Sequence, residues 1–102
     1  MGILCFVAIQ SFSDADAKAF FISGLLGKRV GLANTSRIVR RKLDMIHYAA
    51  RVSDLKAPPG NRLETLSREL EGYHRIRVND QWRIVFRWTE AGPSEVRVID
   101  YH

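Results

Sequence analysis

Asp100, Tyr101 and His102 place a carboxyl, a phenol and an imidazole on three consecutive residues, directly after the β-branched pair Val98-Ile99. All three are proton carriers of the kind used in general acid–base catalysis. Upstream, Arg75, Arg77, Arg83, Arg87 and Arg97 fall on one parity of an alternating stretch, together with Tyr73 and Tyr101. Guanidinium planes match phosphate oxygens and stack on bases, and aromatic faces stack on single-stranded RNA. RNA can be cleaved by attack of its own 2′-hydroxyl on the next phosphate. That reaction asks for a base at the hydroxyl, an acid at the leaving 5′-oxygen and fixed cations for the charge of the transition state. Arg77 and Arg83 are the candidate cations, Asp100, Tyr101 and His102 the candidate proton carriers, and no cofactor is called for.

The elements that must position these residues are read from periodicity. YHRIRV, WRIVFRW and EVRVIDY alternate and are separated by the turn residues Asn79-Asp80 and by EAGPS, which predicts an antiparallel meander. Trp82, Ile84, Phe86 and Trp88 share one face with Ile76, Val78, Val96 and Val98, and that face is the expected core. The arginines take the opposite face, with Glu95 the one acid of their parity in those strands. Alternation sends Asp100 and His102 to the core side, so a break near Ile99 or a projecting end is expected.

Residues 3 to 10, ILCFVAIQ, read as a first strand. Ser13 is the expected N-cap of a following helix, with Ala17, Phe20, Phe21 and Gly24 on its buried side. A second helix is expected near 35 to 50. Ile38, Val39, Leu43, Ile46 and Ala50 form its buried stripe, and Arg37, Arg40, Arg41 and Lys42 its charged remainder. Gly27-Lys28 lacks the spacing of a phosphate loop and reads as a basic connection. Pro58-Pro59-Gly60 breaks the helical half from a short segment around Leu63 to Leu66. The architecture is α+β, two N-terminal helices packed on an antiparallel sheet of about four to five strands.

A length of 102 residues makes residues 1 to 102 a single domain, and the lone Cys5 fits a reducing cytoplasm. No run approaches membrane-spanning length, and MGILCFVA lacks the basic start of a signal peptide. The formal charge of +5 arises from 16 basic and 11 acidic residues. Arginine supplies every cation after Lys56, which points to a polyanionic partner, nucleic acid ahead of membrane. His47, His74 and His102 have no close spacing, and a metal site is not expected.

NRLETL, then GYHRIRVNDQWRIVFRW, then a closing VIDYH resemble the HigB toxins of the RelE superfamily, over residues 9 to 102. The resemblance implies a RelE-like fold and a toxin of a type II toxin–antitoxin system. It further implies a ribosome-dependent endoribonuclease that cuts mRNA in the ribosomal A site amid ribosomal RNA, held inactive by a HigA antitoxin with a helix-turn-helix domain. Arg83 corresponds to a family catalytic arginine, and Asp100, Tyr101 and His102 fall on the terminal catalytic group. Some members carry a His and a Lys where this chain has Glu64 and Ser67. Glu64 is then a candidate base, and Arg62 or Arg68 a replacement cation. Tyr73, Arg75, Arg87 and Arg97 complete the expected RNA-binding set. MGILCFVA departs from the usual short start. The competing readings are a ParE-like inhibitor that binds a target such as gyrase without cutting RNA, and a non-catalytic RNA-binding module.

Overall fold

Alternation in the second half of the chain becomes a four-stranded antiparallel sheet whose spatial order follows the sequence. The computed structural model describes residues 8–23, 35–66 and 72–100. Strand β1 (Glu64–Thr65) pairs with β2 (Tyr73–Arg77), which pairs with β3 (Trp82–Thr89), which pairs with β4 (Gly92–Asp100). On one face Ile76, Val78, Trp82, Ile84, Phe86, Val96 and Val98 are buried, as their parity predicts, and Trp88 packs partly buried against them. Helices α1 (Ala15–Ser23) and α2 (Ser36–Tyr48) supply Ala17, Phe20, Val39, Leu43 and Ile46 to the same core. Two helices against an antiparallel meander is the α+β architecture expected from the sequence.

Four local readings change. The N-terminal segment meets the sheet at residues 10 to 13, where Phe12 forms a parallel bridge to Val96. Gln10 N–H donates to Pro93 O (2.8 Å), Val96 N–H to Ser11 O (3.1 Å) and Ser13 N–H to Val96 O (3.1 Å), which covers an otherwise open edge of β4. Of the strand expected at 3 to 10, residues 3 to 7 lie outside the described residues, and residues 8 to 10 are not in a strand.

The cap of α1 is Asp14, not Ser13. Asp14 Oδ1 accepts from the N–H groups of Asp16 (3.1 Å) and Ala17 (3.2 Å), while Oδ2 accepts from Val98 N–H (3.1 Å). Ser13 Oγ donates to Glu95 O instead.

Helix α2 stops at Tyr48, with Ala49 extended at its C-cap, so Ala50 leaves the helical stripe and is exposed. Lys42, expected on the charged side, is buried at 5% exposure. Arg37, Arg40 and Arg41 do face solvent, and Arg40 lies over the Phe21 ring at 5.6 Å. Gly24, Gly27, Lys28 and Arg29 lie outside the described residues.

Beyond α2 the chain makes two 3-10 turns, Val52–Lys56 and Pro59–Asn61, before entering β1. No described helix is long and apolar enough to cross a membrane.

Candidate active site

Pairing register decides which arginines meet. Glu64 faces Arg75, Arg75 faces Val85, and Val85 faces Arg97, which makes one cross-strand row. In the neighbouring row Arg77 faces Arg83, and Arg83 faces Ile99. Partners directly opposite in a ladder share a face of the sheet. Val85 is only 2% exposed although its parity points away from the core. Arg75 and Arg97 flank it in the same cross-strand row.

Arg62, Leu63, Glu64, Arg75, Arg77 and Arg83 line a cleft of about 400 Å³ on this face. Like charges directly opposite one another destabilise a ladder, and the turn between β2 and β3 answers that cost. Asp80 Oδ1 accepts from Arg77 Nη2, and the Arg77 guanidinium holds the Asp80 carboxyl below the usual carboxylate range. Arg83 Nη1 donates to the carbonyls of Asn79 and Trp82, the latter at 3.1 Å. Asn79 Oδ1 in turn accepts from Gln81 N–H (2.9 Å) and Trp82 N–H (2.8 Å), closing the turn that presents those carbonyls. Both guanidinium groups are thereby aimed before any ligand arrives.

Across the cleft, Arg75 donates through Nε (2.9 Å) and Nη2 (2.6 Å) to Glu64 Oε1. Both bonds land on one oxygen of the carboxylate. Arg62 enters the cleft from a left-handed backbone, φ 46°, at the end of the second 3-10 turn. Four cations and one carboxylate around a polar cleft are groups able to hold a phosphate and to accept a proton beside it.

The far end of the same face carries a second cluster. Glu95 sits at φ 53°, in the register shift where β4 gains a residue between the partners of Val85 and Arg87. Its Oε1 accepts from Tyr73 OH at 2.8 Å, and its Oε2 lies 3.5 Å from Arg87 Nη1. The hydrogen bond to Glu95 pushes the Tyr73 phenol up from its ordinary value. Arg97 shares the row of Glu64 and Arg75, its Nε buried without a hydrogen-bond partner among the described residues.

The structure therefore gathers Arg62, Glu64, Arg75, Arg77 and Arg83 into one cleft and places Tyr73, Arg87 and Arg97 along the same face. The face is less one-sided than its parity predicts. Besides Glu95, it receives Glu64 through the β1 register and Asp80 from the turn. Nothing in the local pattern of YHRIRV announces Glu64, because that pairing spans 11 residues; the Arg77-x-x-Asp80 spacing was a visible signal for Asp80. No break occurs near Ile99. The ladder stays in register to Asp100, which pairs with Trp82 on the reverse parity, and the irregularity falls earlier, at Glu95. Asp100 is exposed at the strand end, where its Oδ2 accepts from Gln81 Nε2 at 3.2 Å. Arg68, Tyr101 and His102 lie outside the described residues. His74 is a structural residue: its ring lies 5.8 Å from Phe86, its Nδ1 is 3.1 Å from Thr65 Oγ1, and burial pulls its pKa down.

The comparisons with known proteins bear on the family and the fold. A family model described as the RelE-like toxin of type II toxin–antitoxin system HigB matches residues 10–102. Over 51 residues the chain is 48% identical to Toxin HigB-1 of Vibrio cholerae, covering 50% of this chain and 54% of that one. A Haemophilus influenzae protein is 38% identical over 56 residues, 55% of each chain. The chain thus spans about half the length of these curated relatives in each match. Among solved structures, a YoeB dimer from Staphylococcus aureus shares the fold with a TM-score of 0.52 at 17% identity, over 94% of this chain and 97% of that one. A YoeB/ParE toxin from Agrobacterium tumefaciens does so with a TM-score of 0.50 at 16% identity, over 94% and 99%.

Proposed function

The chain belongs to the HigB-like family of RelE-like toxins of type II toxin–antitoxin systems, and we propose that it acts as a ribosome-dependent endoribonuclease on mRNA in the A site. The observation that carries this reading is the cleft in which Arg77 and Arg83 stand directly opposed, with Arg62, Arg75 and Glu64 around them. The scissile phosphate sits between Arg77 and Arg83. As the 2′-oxygen attacks phosphorus and the bond to the 5′-oxygen breaks, negative charge grows on the non-bridging oxygens, and two pre-aimed guanidinium groups stabilise it. The products are a 2′,3′-cyclic phosphate and a 5′-hydroxyl.

The reaction removes one proton from the 2′-hydroxyl and delivers one to the leaving oxygen. Glu64, which lines the cleft, and the consecutive residues Asp100, Tyr101 and His102 are the proton carriers in this reading. Tyr73, Arg75, Arg87 and Arg97 extend the basic face along the mRNA and ribosomal RNA backbone, and Arg68 is a further RNA-binding residue of this reading. The natural partner is a HigA-type helix-turn-helix antitoxin, and the protein works in the cytoplasm, where ribosomes are.

Mapping of mRNA 5′ ends in a translating extract tests the reading. Purified protein should produce new 5′-hydroxyl ends within the A-site codon, and none on the same RNA without ribosomes. Translation or replication arrested with no new ends would favour the ParE-like mode, and salt-sensitive binding of bare RNA without toxicity a binding module.

A further inference from the structure

Among the described residues, Lys42 and Asn61 are the two buried polar side chains, at 5% and 0% exposure. Lys42 shares its stretch of α2 with Val39, Leu43 and Ile46, all apolar and buried. An apolar side chain would fill that position without the cost of desolvating an ammonium, and Arg41 and Arg77 nearby add repulsion. What Lys42 provides is a hydrogen bond from Nζ to Asn61 Oδ1. Asn61 spends its remaining groups on the turn, apart from a 3.8 Å contact of Nδ2 with Met45 Sδ on α2. Nδ2 donates to Leu55 O (3.0 Å) and Ala57 O (3.2 Å), and the backbone N–H donates to Pro58 O (2.9 Å). The next residue is Arg62, whose N–H donates to Pro59 O (3.1 Å) in a left-handed conformation that L side chains rarely adopt. Two residues further, Glu64 begins β1 and takes its place against Arg75.

We propose that Lys42 is a positioning residue: by holding Asn61 it locks the turn from which Arg62 and Glu64 enter the cleft onto the rigid helix α2. The proposal rests on reading the cleft as the reaction site. Lys42 touches no substrate. It sets the placement of one wall of the cleft relative to the other wall, formed by Arg77 and Arg83, whose anchors lie in the β2–β3 turn and do not involve it.

Lys42→Met keeps the length and apolar packing of the side chain and removes its hydrogen bond. Amide hydrogen exchange at Asn61 and Arg62 should quicken by about tenfold or more, with Ile84 and Val98 unchanged, since only local opening is affected. Cleavage on ribosomes should lose about 10- to 100-fold in kcat, as misplacement by an ångström does. KM should stay within about threefold, because the opposed arginines still grip the phosphate. An unchanged kcat, whatever the exchange, overturns the proposal. Should Lys42→Met fail to fold, the native protein titrated with inorganic phosphate decides. The Asn61 side-chain amide signals should move together with those of Arg62, Arg77 and Arg83, and an unmoved Asn61 beside shifting Arg77 and Arg83 overturns it. If the native protein cuts no RNA on ribosomes, the proposed function fails, while the exchange and phosphate arms still decide the role of Lys42.

Discussion

Arg77 and Arg83 face each other across β2 and β3 as direct ladder partners, each with its guanidinium held from the turn that joins the two strands. A sheet built for stability alone would set opposite charges there. Local rules are broken most often where function requires it, and here the break lies inside the cleft lined by Arg62, Glu64 and Arg75. The turn NDQW thus shapes the cleft: it supplies the carboxylate and carbonyls that fix both cations.

Asp80→Asn tests that role. The Asp80 carboxyl is held below its ordinary value by Arg77, so its ionised form contributes stability above the ordinary carboxylate range. That contribution disappears as pH falls through the depressed folded value. The thermal stability gap between native protein and variant should therefore be present at neutral pH and close in acid. At neutral pH cleavage should fall about tenfold, since one well-oriented cation is released.

Asp14 joins three backbone donors with one carboxylate, two in the first turn of α1 and one at Val98 in β4. Asp14→Ala should cost about 1–3 kcal/mol in urea denaturation, the loss of a helix cap plus a hydrogen bond to a charged acceptor. Ser13→Ala, which removes one exposed side-chain bond to Glu95 O, should cost much less.

Glu95 governs the Tyr73 phenol. Its hydrogen bond and charge raise the Tyr73 pKa, against the opposite pull of Arg87 and Arg97. Glu95→Gln should bring the Tyr73 titration down, read from its ring carbon signals by NMR. A folded value above the unfolded one stabilises below the ordinary tyrosine range and is lost as pH rises through the folded value. The native protein should therefore lose stability in strong alkali relative to Glu95→Gln.

Much of this arrangement was legible in the chain and some was not, for reasons that lie in its geometry. Trp82, Ile84 and Phe86 announce their strand and its buried face, because a period of two needs only neighbours. The arginine face follows from the same count. Alternation also put Asp100 on the reverse parity, and the ladder keeps it there; the invoked break was unnecessary because a strand end leaves its last carboxylate in water. Lys42 was misplaced because its partner Asn61 lies 19 residues away, beyond any helical period. Glu64 was expected from the family pattern as a proton carrier, but its pairing with Arg75 depends on the β1 register. Asp14 outcompeted Ser13 as cap because its two oxygens reach α1 and β4 together.

The central claim is that the opposed arginines stabilise charge on a scissile phosphate. Its most direct measurement is the single-turnover rate of A-site mRNA cleavage by Arg83→Ala on programmed ribosomes, with folding verified by thermal melting. A rate lower by about 10²- to 10³-fold with ribosome binding preserved is the expected result, the loss that follows removal of one transition-state donor. An Arg83→Ala protein that binds ribosomes and cuts at the native rate would contradict the account.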